Sequence, residues 1–148
     1  MEKCRPRLLE KEVNALIADS YRKKGYFVLQ ELRLHPCEMD LVILDKNSLT
    51  ISIFEIKRYN WNYLLKQTMR TRLYSHYSVA VMPSTMRKNV PLKEFEKRGI
   101  GVAFYDDSYS KFDFQLACKP MKSPKINRGL KQLIYRSFFN QFGEALYA

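Results

Sequence analysis

Glu38-Met-Asp-Leu-Val-Ile-Leu-Asp-Lys-Asn-Ser-Leu-Thr-Ile-Ser-Ile-Phe-Glu-Ile-Lys57 is the stretch whose reading decides the fold. Two runs rich in Val, Ile and Leu flank the polar Asp45-Lys-Asn-Ser, the pattern of a β-hairpin. A turn centred between Lys46 and Asn47 sets Asp45 opposite Ser48 and Leu44 opposite Leu49. Counting outward, Asp40 then lies opposite Ile53. Opposed residues share a face, as do residues two apart on a strand. Asp40, Glu55 and Lys57 therefore project from one side, at the end of the hairpin away from its turn. Glu55 becomes the diagonal neighbour of Asp40, with Cα atoms about 7–8 Å apart or less, a spacing at which two carboxylates share a divalent cation.

The neighbours make these charges unusual. Val42, Leu44, Leu49, Ile51 and Ile53 fall on the same face, and Leu41, Ile43, Phe54 and Ile56 on the other. Two apolar faces indicate central strands covered on both sides. Ionised groups there are costly unless they pair or bind a metal. The competing reading is a Glu–Lys pair at a strand end with Asp40 solvated at the start of its strand. A one-residue bulge would turn Asp40 to the opposite face.

The chain has 148 residues, enough for one domain with a real core. We divide it into an α/β domain over residues 1–118 and a basic C-terminal extension over 119–148. Ten Tyr and nine Phe argue against disorder. No apolar run approaches the ~20 residues of a membrane helix, and the N-terminus lacks a signal-peptide core, so a soluble intracellular protein without a membrane partner is expected. The net charge of +11 points to a polyanionic partner, nucleic acid before anionic lipid. Cys4, Cys37 and Cys118 form neither a disulfide framework nor a metal motif.

Around the hairpin, residues 6–24 read as a helix stopped by Gly25. Glu10 falls on its apolar stripe beside Ile17 and Tyr21, and Glu12 on the opposite flank. Glu10 either points at a site on the sheet edge or serves as an acidic first-turn residue. A first strand follows over residues 26–34. After Lys57, Asn60 caps a helix with an apolar stripe of Trp61, Leu64, Leu65, Thr68, Met69 and Leu73. Gln67, Arg70 and Tyr74 line another face of it. Residues 77–83 make a buried strand, and strand–helix–strand implies a parallel pair. A loop carrying Arg87 and Lys88, a short helix over 91–98, a strand over 99–105, a turn over 106–111 and an edge strand over 112–117 complete the domain. Beyond Lys119, Pro120 and Pro124 mark an extended linker. Leu130, Leu133, Ile134, Phe138 and Phe142 give a terminal amphipathic helix whose apolar face docks on the domain, another subunit or a partner.

The order helix, strand, hairpin, helix, strand, with Asp40 in Met-Asp-Leu-Val-Ile and Glu55-Ile56-Lys57 in Phe-Glu-Ile-Lys, resembles the PD-(D/E)XK nuclease superfamily. That superfamily includes restriction endonucleases, Holliday junction resolvases and RecB-like nucleases. Gln67 resembles the glutamine on the helix after the motif, and Glu10, with Glu12 the alternative, the first-helix glutamate of resolvase-like members. Met39 stands where the family name implies proline. The resemblance covers about residues 8–105.

The resemblance implies a restriction endonuclease-like core of αβββαβ order, a central mixed sheet flanked by helices. It also implies hydrolysis of DNA phosphodiester bonds with Mg2+ or Mn2+. Asp40, Glu55 and the backbone carbonyl of Ile56 would hold the metal. Lys57 would position the attacking water or neutralise charge, Gln67 would orient lysine, water or phosphate, and Glu10 would reach a second metal through water. Phosphates would meet Arg70, Arg72, Arg87, Lys88, Lys122, Lys125, Arg128 and Lys131. Paired cuts would require a homodimer. Two other expectations stand beside this one: a nucleic-acid-binding module without turnover, and a subunit of a larger DNA-processing complex.

Overall fold

The computed structural model describes residues 8–106 and 112–147. The turn expected over 106–111 falls almost wholly outside them. The elements run α1 (Glu10–Lys23), β1 (Phe27–Leu34), β2 (Cys37–Asp45), β3 (Thr50–Ile56), α2 (Trp61–Thr71), β4 (Tyr77–Pro83), α3 (Leu92–Glu96), β5 (Gly101–Tyr105), β6 (Phe114–Cys118) and α4 (Arg128–Phe142). The six strands form one sheet in sequence order. β1, β2 and β3 are antiparallel neighbours, β3–β4 and β4–β5 are parallel, and β6 returns antiparallel on the edge. The protein is thus an α/β fold with a mixed sheet flanked by helices, as the hairpin and the strand–helix–strand run require. Among the described residues no helix is long and apolar enough to cross a membrane.

The hairpin is built differently from the expected two-residue turn. Asp45 pairs with Thr50 and Leu44 with Ile51, so residues 46–49 form a four-residue connection, closed with Leu49 at φ 56°. Leu49, expected on a buried face, is mostly exposed there. The register therefore moves by two, and Val42 rather than Asp40 faces Ile53. An even shift leaves each side chain on its face. Continued past its last pair, Leu41 with Phe54, this register brings Asp40 opposite Glu55 itself.

Both faces of the sheet are covered. α1 lays Val13, Ile17 and Ala18 on Leu41, Ile43, Phe54 and Ile56, with Tyr21 edge-on to Phe54 at 5.5 Å. Its start is fixed by Glu12, whose Oε1 accepts the Leu9 N–H at 3.1 Å. On the other face α2 buries Leu64 and Leu65 against β4 and β5, while Met69 and Leu73 of its expected stripe are half exposed. Asn60 caps α2 by accepting the Tyr63 N–H. Beside α2, α4 seats Ile134 and Phe138, both fully buried, on Leu29, Val42, Leu44, Ile51, Ile53 and Tyr74. The apolar face of the terminal helix thus docks on its own chain, and each such side chain contributes about 1.5–3 kcal/mol of burial.

The linker into α4 is held closely. Met121 and Ser123 donate to the carbonyls of Gly99 and His76, and Asn127 to that of Leu73. Gly101 permits this path, since a Cβ there would stand 2.7 Å from Pro120 Cδ.

Candidate active site

The site forms where β2 and β3 part. Their ladder stops at Leu41 opposite Phe54. Beyond it the Ile56 N–H donates to Asp40 Oδ2 at 2.8 Å, a side chain in place of a neighbouring strand. The face alternation of β2 also breaks here. Val42 and Leu44 lie in the α4-side core, Leu41 in the α1-side core, yet Met39 and Cys37 lie again on the α4 side. Glu31, the residue across from Asp40 in the β1–β2 register, has φ 52°. The irregularity that would have separated Asp40 from Glu55 thus falls on Asp40 itself, and the carboxylate stays at the edge of β3.

Glu55 is fully buried. Gln67 Nε2 donates to its Oε2 at 2.7 Å. Its Oε1 is buried and receives no hydrogen bond among the described residues. Burial, then the Asp40 carboxylate beside it, raises the Glu55 pKa well above the ordinary carboxylate range. Asp40 is also raised, chiefly by burial, against the pull of the Ile56 N–H, a hydrogen bond with Glu55 and, last, Lys57.

Glu10 enters from α1, its Oε1 accepting the Arg58 N–H at 2.9 Å, and its charge is felt at Asp40. Of the two acids, Glu12 is occupied at the helix start and Glu10 lies beside Asp40. Glu10, Lys11, Asn14, Glu31, Asp40 and Ile56 line a cleft of about 250 Å³ on this side. On the α2 side, Gln67 and Arg70 share a cleft of about 200 Å³ with Pro36, Cys37, Glu38, Tyr63 and Thr71. Lys57, anchored by its N–H to the Val81 carbonyl, carries its ammonium 5.0 Å from the centre of the Tyr63 ring.

Asn14 belongs to the site and was missed in the sequence. It is buried, donates to the Asp40 carbonyl at 2.7 Å and accepts from Gln30 Nε2 at 2.9 Å. This supplies a partner for the carbonyl at the point where β2 breaks its alternation. The available signal was an amide four residues after Glu10 on the buried stripe of α1.

The basic residues divide into separate groups. Arg70 lines the α2-side cleft. Arg87 and Lys88 follow β4 at the end of the sheet where Ile56 lies, with the Arg87 guanidinium 4.6 Å from the Phe104 ring. Arg72 donates to the carbonyls of Gly99 and Met121, both at 3.3 Å, and so ties the start of β5 to the linker. Lys122, Lys125, Arg128 and Lys131 lie with the linker and the first turn of α4, at the opposite end of β3 from Glu55.

Two carboxylates and a neighbouring backbone carbonyl, with room left for waters, suit a hard octahedral cation such as Mg2+. The orphaned, buried Glu55 Oε1 fits that group, because a cation would supply its missing partner and offset its desolvation. Among the described residues no group of three or more His, Cys, Asp and Glu side chains converges on one point. A cation there would meet two carboxylates with backbone and solvent oxygens rather than a zinc cage.

No family model and no curated protein sequence matches the chain. Among solved structures, a protein of unknown function from Silicibacter pomeroyi superposes with a TM-score of 0.64 at 12% identity, over 94% of this chain and 90% of that one. A repair endonuclease from Pyrococcus abyssi gives a TM-score of 0.45 at 17% identity, over 72% of this chain and 50% of its own. The likeness to the first is one of fold, and that to the second is distant.

Proposed function

We propose that the protein is a metal-dependent endonuclease of PD-(D/E)XK type that hydrolyses phosphodiester bonds in DNA. The observation that carries the reading is Glu55: a fully buried carboxylate, held against Asp40, with one oxygen that no donor reaches among the described residues, where two central strands part. Asp40 lines the α1-side cleft and Glu55 lies buried behind it, and carboxylates with raised pKa values beside a cleft mark candidate functional sites.

Asp40, Glu55 and the Ile56 carbonyl would hold Mg2+ or Mn2+. When bound, the metal supplies a nucleophilic water at neutral pH and charge stabilisation on the phosphoryl oxygens. The chain's own residues do the positioning. The Ile56 N–H fixes Asp40 and the Gln67 amide fixes Glu55. Asn14 holds the backbone of Asp40, and Glu10 holds the strand just past Lys57. Lys57, whose ammonium lies over the Tyr63 ring and whose charge reaches Asp40, would meet the phosphate or the attacking water. Arg70 in that cleft is placed for a phosphate oxygen.

The test is nicking of supercoiled plasmid in Mg2+ or Mn2+, with chelator as control. Wild type should cut, and Asp40→Asn and Lys57→Ala should each lose about a hundredfold or more. Binding that survives both substitutions, with no cleavage to remove, would instead support a binding module without turnover.

A further inference from the structure

The basic linker lies at the far end of the sheet from Asp40, and His76 shows what it is built for. His76 Nδ1 accepts the Ile51 N–H at 2.9 Å, and the His76 N–H returns to the Ile51 carbonyl at 2.9 Å. A ring nitrogen that accepts carries no proton, so the proton sits on Nε2, which is left as a donor. The His76 carbonyl accepts the Ser123 N–H at 2.8 Å, and the Leu73 carbonyl accepts that of Asn127 at 3.0 Å. These two bonds clamp the linker beside the ring and bring Lys122 and, one helical turn into α4, Lys131 to the same place. Burial and then the charges of Lys131 and Lys122 lower the pKa of the ring from the ordinary histidine value. No acidic residue occurs between Asp113 and Glu144, so the linker and α4 carry no acid to neutralise these cations. An N–H donor that feels the charges of Lys122 and Lys131, the latter's ammonium lying over the Tyr135 ring, suits a phosphate oxygen, where each added cation displaces counterions.

We propose that His76, Lys122 and Lys131 form a second phosphate-binding ledge for the backbone of duplex DNA, separate from the catalytic notch. The choice of DNA as partner rests on the hydrolase reading. Ile51, which holds His76, and Ile56, which holds Asp40, are five steps apart on β3, or ~17 Å at ~3.3 Å per residue. At ~1.7 Å of duplex axis per phosphate charge, both strands counted, that span is about five base pairs. Arg70, in the cleft with Gln67, sits on the α2 face between the two ends. The substrate therefore needs duplex reaching at least that far to one side of the scissile phosphate.

The experiment measures binding of a labelled duplex of about 30 base pairs against salt, without divalent metal, and repeats it with a duplex of about five. Lys122→Gln with Lys131→Gln should lower the slope of log affinity against log salt by about 1.8 on the long duplex and leave the short one nearly unchanged. A charge-matched control, Lys23→Gln with Lys24→Gln at the C-terminal end of α1, should leave both slopes nearly unchanged. Melting curves confirm that each variant is folded. An unchanged slope in the ledge variant overturns the proposal, as does an equal fall in the control. So does a loss seen only on anionic phosphatidylserine vesicles. Because metal is absent, the outcome is independent of cleavage: a chain that cuts DNA but keeps its slope sinks the ledge alone, and one that loses slope but never cuts sinks the hydrolase reading alone.

Discussion

The N–H of Ile56 points at the carboxylate of Asp40, 2.8 Å away, at the place where a regular ladder would have offered it a carbonyl. Asp40 is thus held by the backbone of the strand it serves. An asparagine retains an oxygen for that bond. Asp40→Asn should therefore change stability by less than about 1.5 kcal/mol, the net worth of one hydrogen bond, while metal-dependent cleavage disappears. Parallel urea melts and nicking assays on the same preparation separate the two effects.

Glu55 gives a prediction with a definite pH sign. Its pKa is raised in the folded state, so between the ordinary carboxylate range and the raised value the native chain holds a proton that the unfolded chain has released. Stability of the metal-free protein must then fall as pH rises through that window, and Asp40 adds in the same direction. Glu55→Gln keeps an oxygen for Gln67 and removes the charge. It should flatten the fall and stabilise the metal-free protein near neutral pH by about 1–3 kcal/mol, the scale of a buried unsatisfied polar group, and abolish cleavage. Thermal melts across pH, with and without Mg2+, check it; a variant less stable than wild type at neutral pH would contradict it.

Lys57 separates activity from stability in another way. Its ammonium contacts the face of a half-exposed Tyr63, an interaction of about 0.5–1 kcal/mol. Lys57→Ala should cost little more than that in a denaturant melt yet reduce cleavage about a hundredfold or more. Lys57→Arg should not restore the rate, because a planar fork does not replace a compact ammonium.

The hairpin, the parallel β3–β4 pair and the grouping of Asp40, Glu55 and Lys57 near one strand end were legible because alternation with period two survives an even error in register. The register itself was not legible. It depended on a four-residue connection closed by Leu49 in a left-handed conformation, which no turn signature in Asp45-Lys-Asn-Ser announces. Nor was the break in alternation at Asp40, which is set by its neighbour Glu31 and by Asn14 from another element. Glu10 and Glu12 were two positions apart on one helix, and only the three-dimensional partners, Arg58 for one and Leu9 for the other, divide them. The terminal helix advertised an apolar face but not its occupant, because periodicity records that a surface is covered and not by what.

Arg72 should behave as a structural residue. Its guanidinium, lowered in pKa by burial, bonds two carbonyls that join the start of β5 to the linker. Arg72→Ala should destabilise by about 1–3 kcal/mol, removing a donor from the Met121 carbonyl and one of two from the Gly99 carbonyl, and leave the salt dependence of DNA binding unchanged. Arg70→Ala should do the reverse, lowering the salt slope by about 0.9 with little change in stability.

Phe138 tests how far α4 belongs to the core. The ring is fully buried among the β1, β2 and β3 side chains and stacks near Phe142 at 6.2 Å. Phe138→Ala should cost about 3–5 kcal/mol in a denaturant melt. A loss below about 1 kcal/mol would mean that the helix does not rest on this face in solution.

The most direct measurement is anomalous diffraction from a crystal soaked in Mn2+, collected for wild type and Glu55→Gln. The account expects one peak between the Asp40 and Glu55 carboxylates, within bonding distance of the Ile56 carbonyl, and its loss in the variant. Manganese bound elsewhere, or an empty notch in crystals of a protein that cuts DNA, would contradict it.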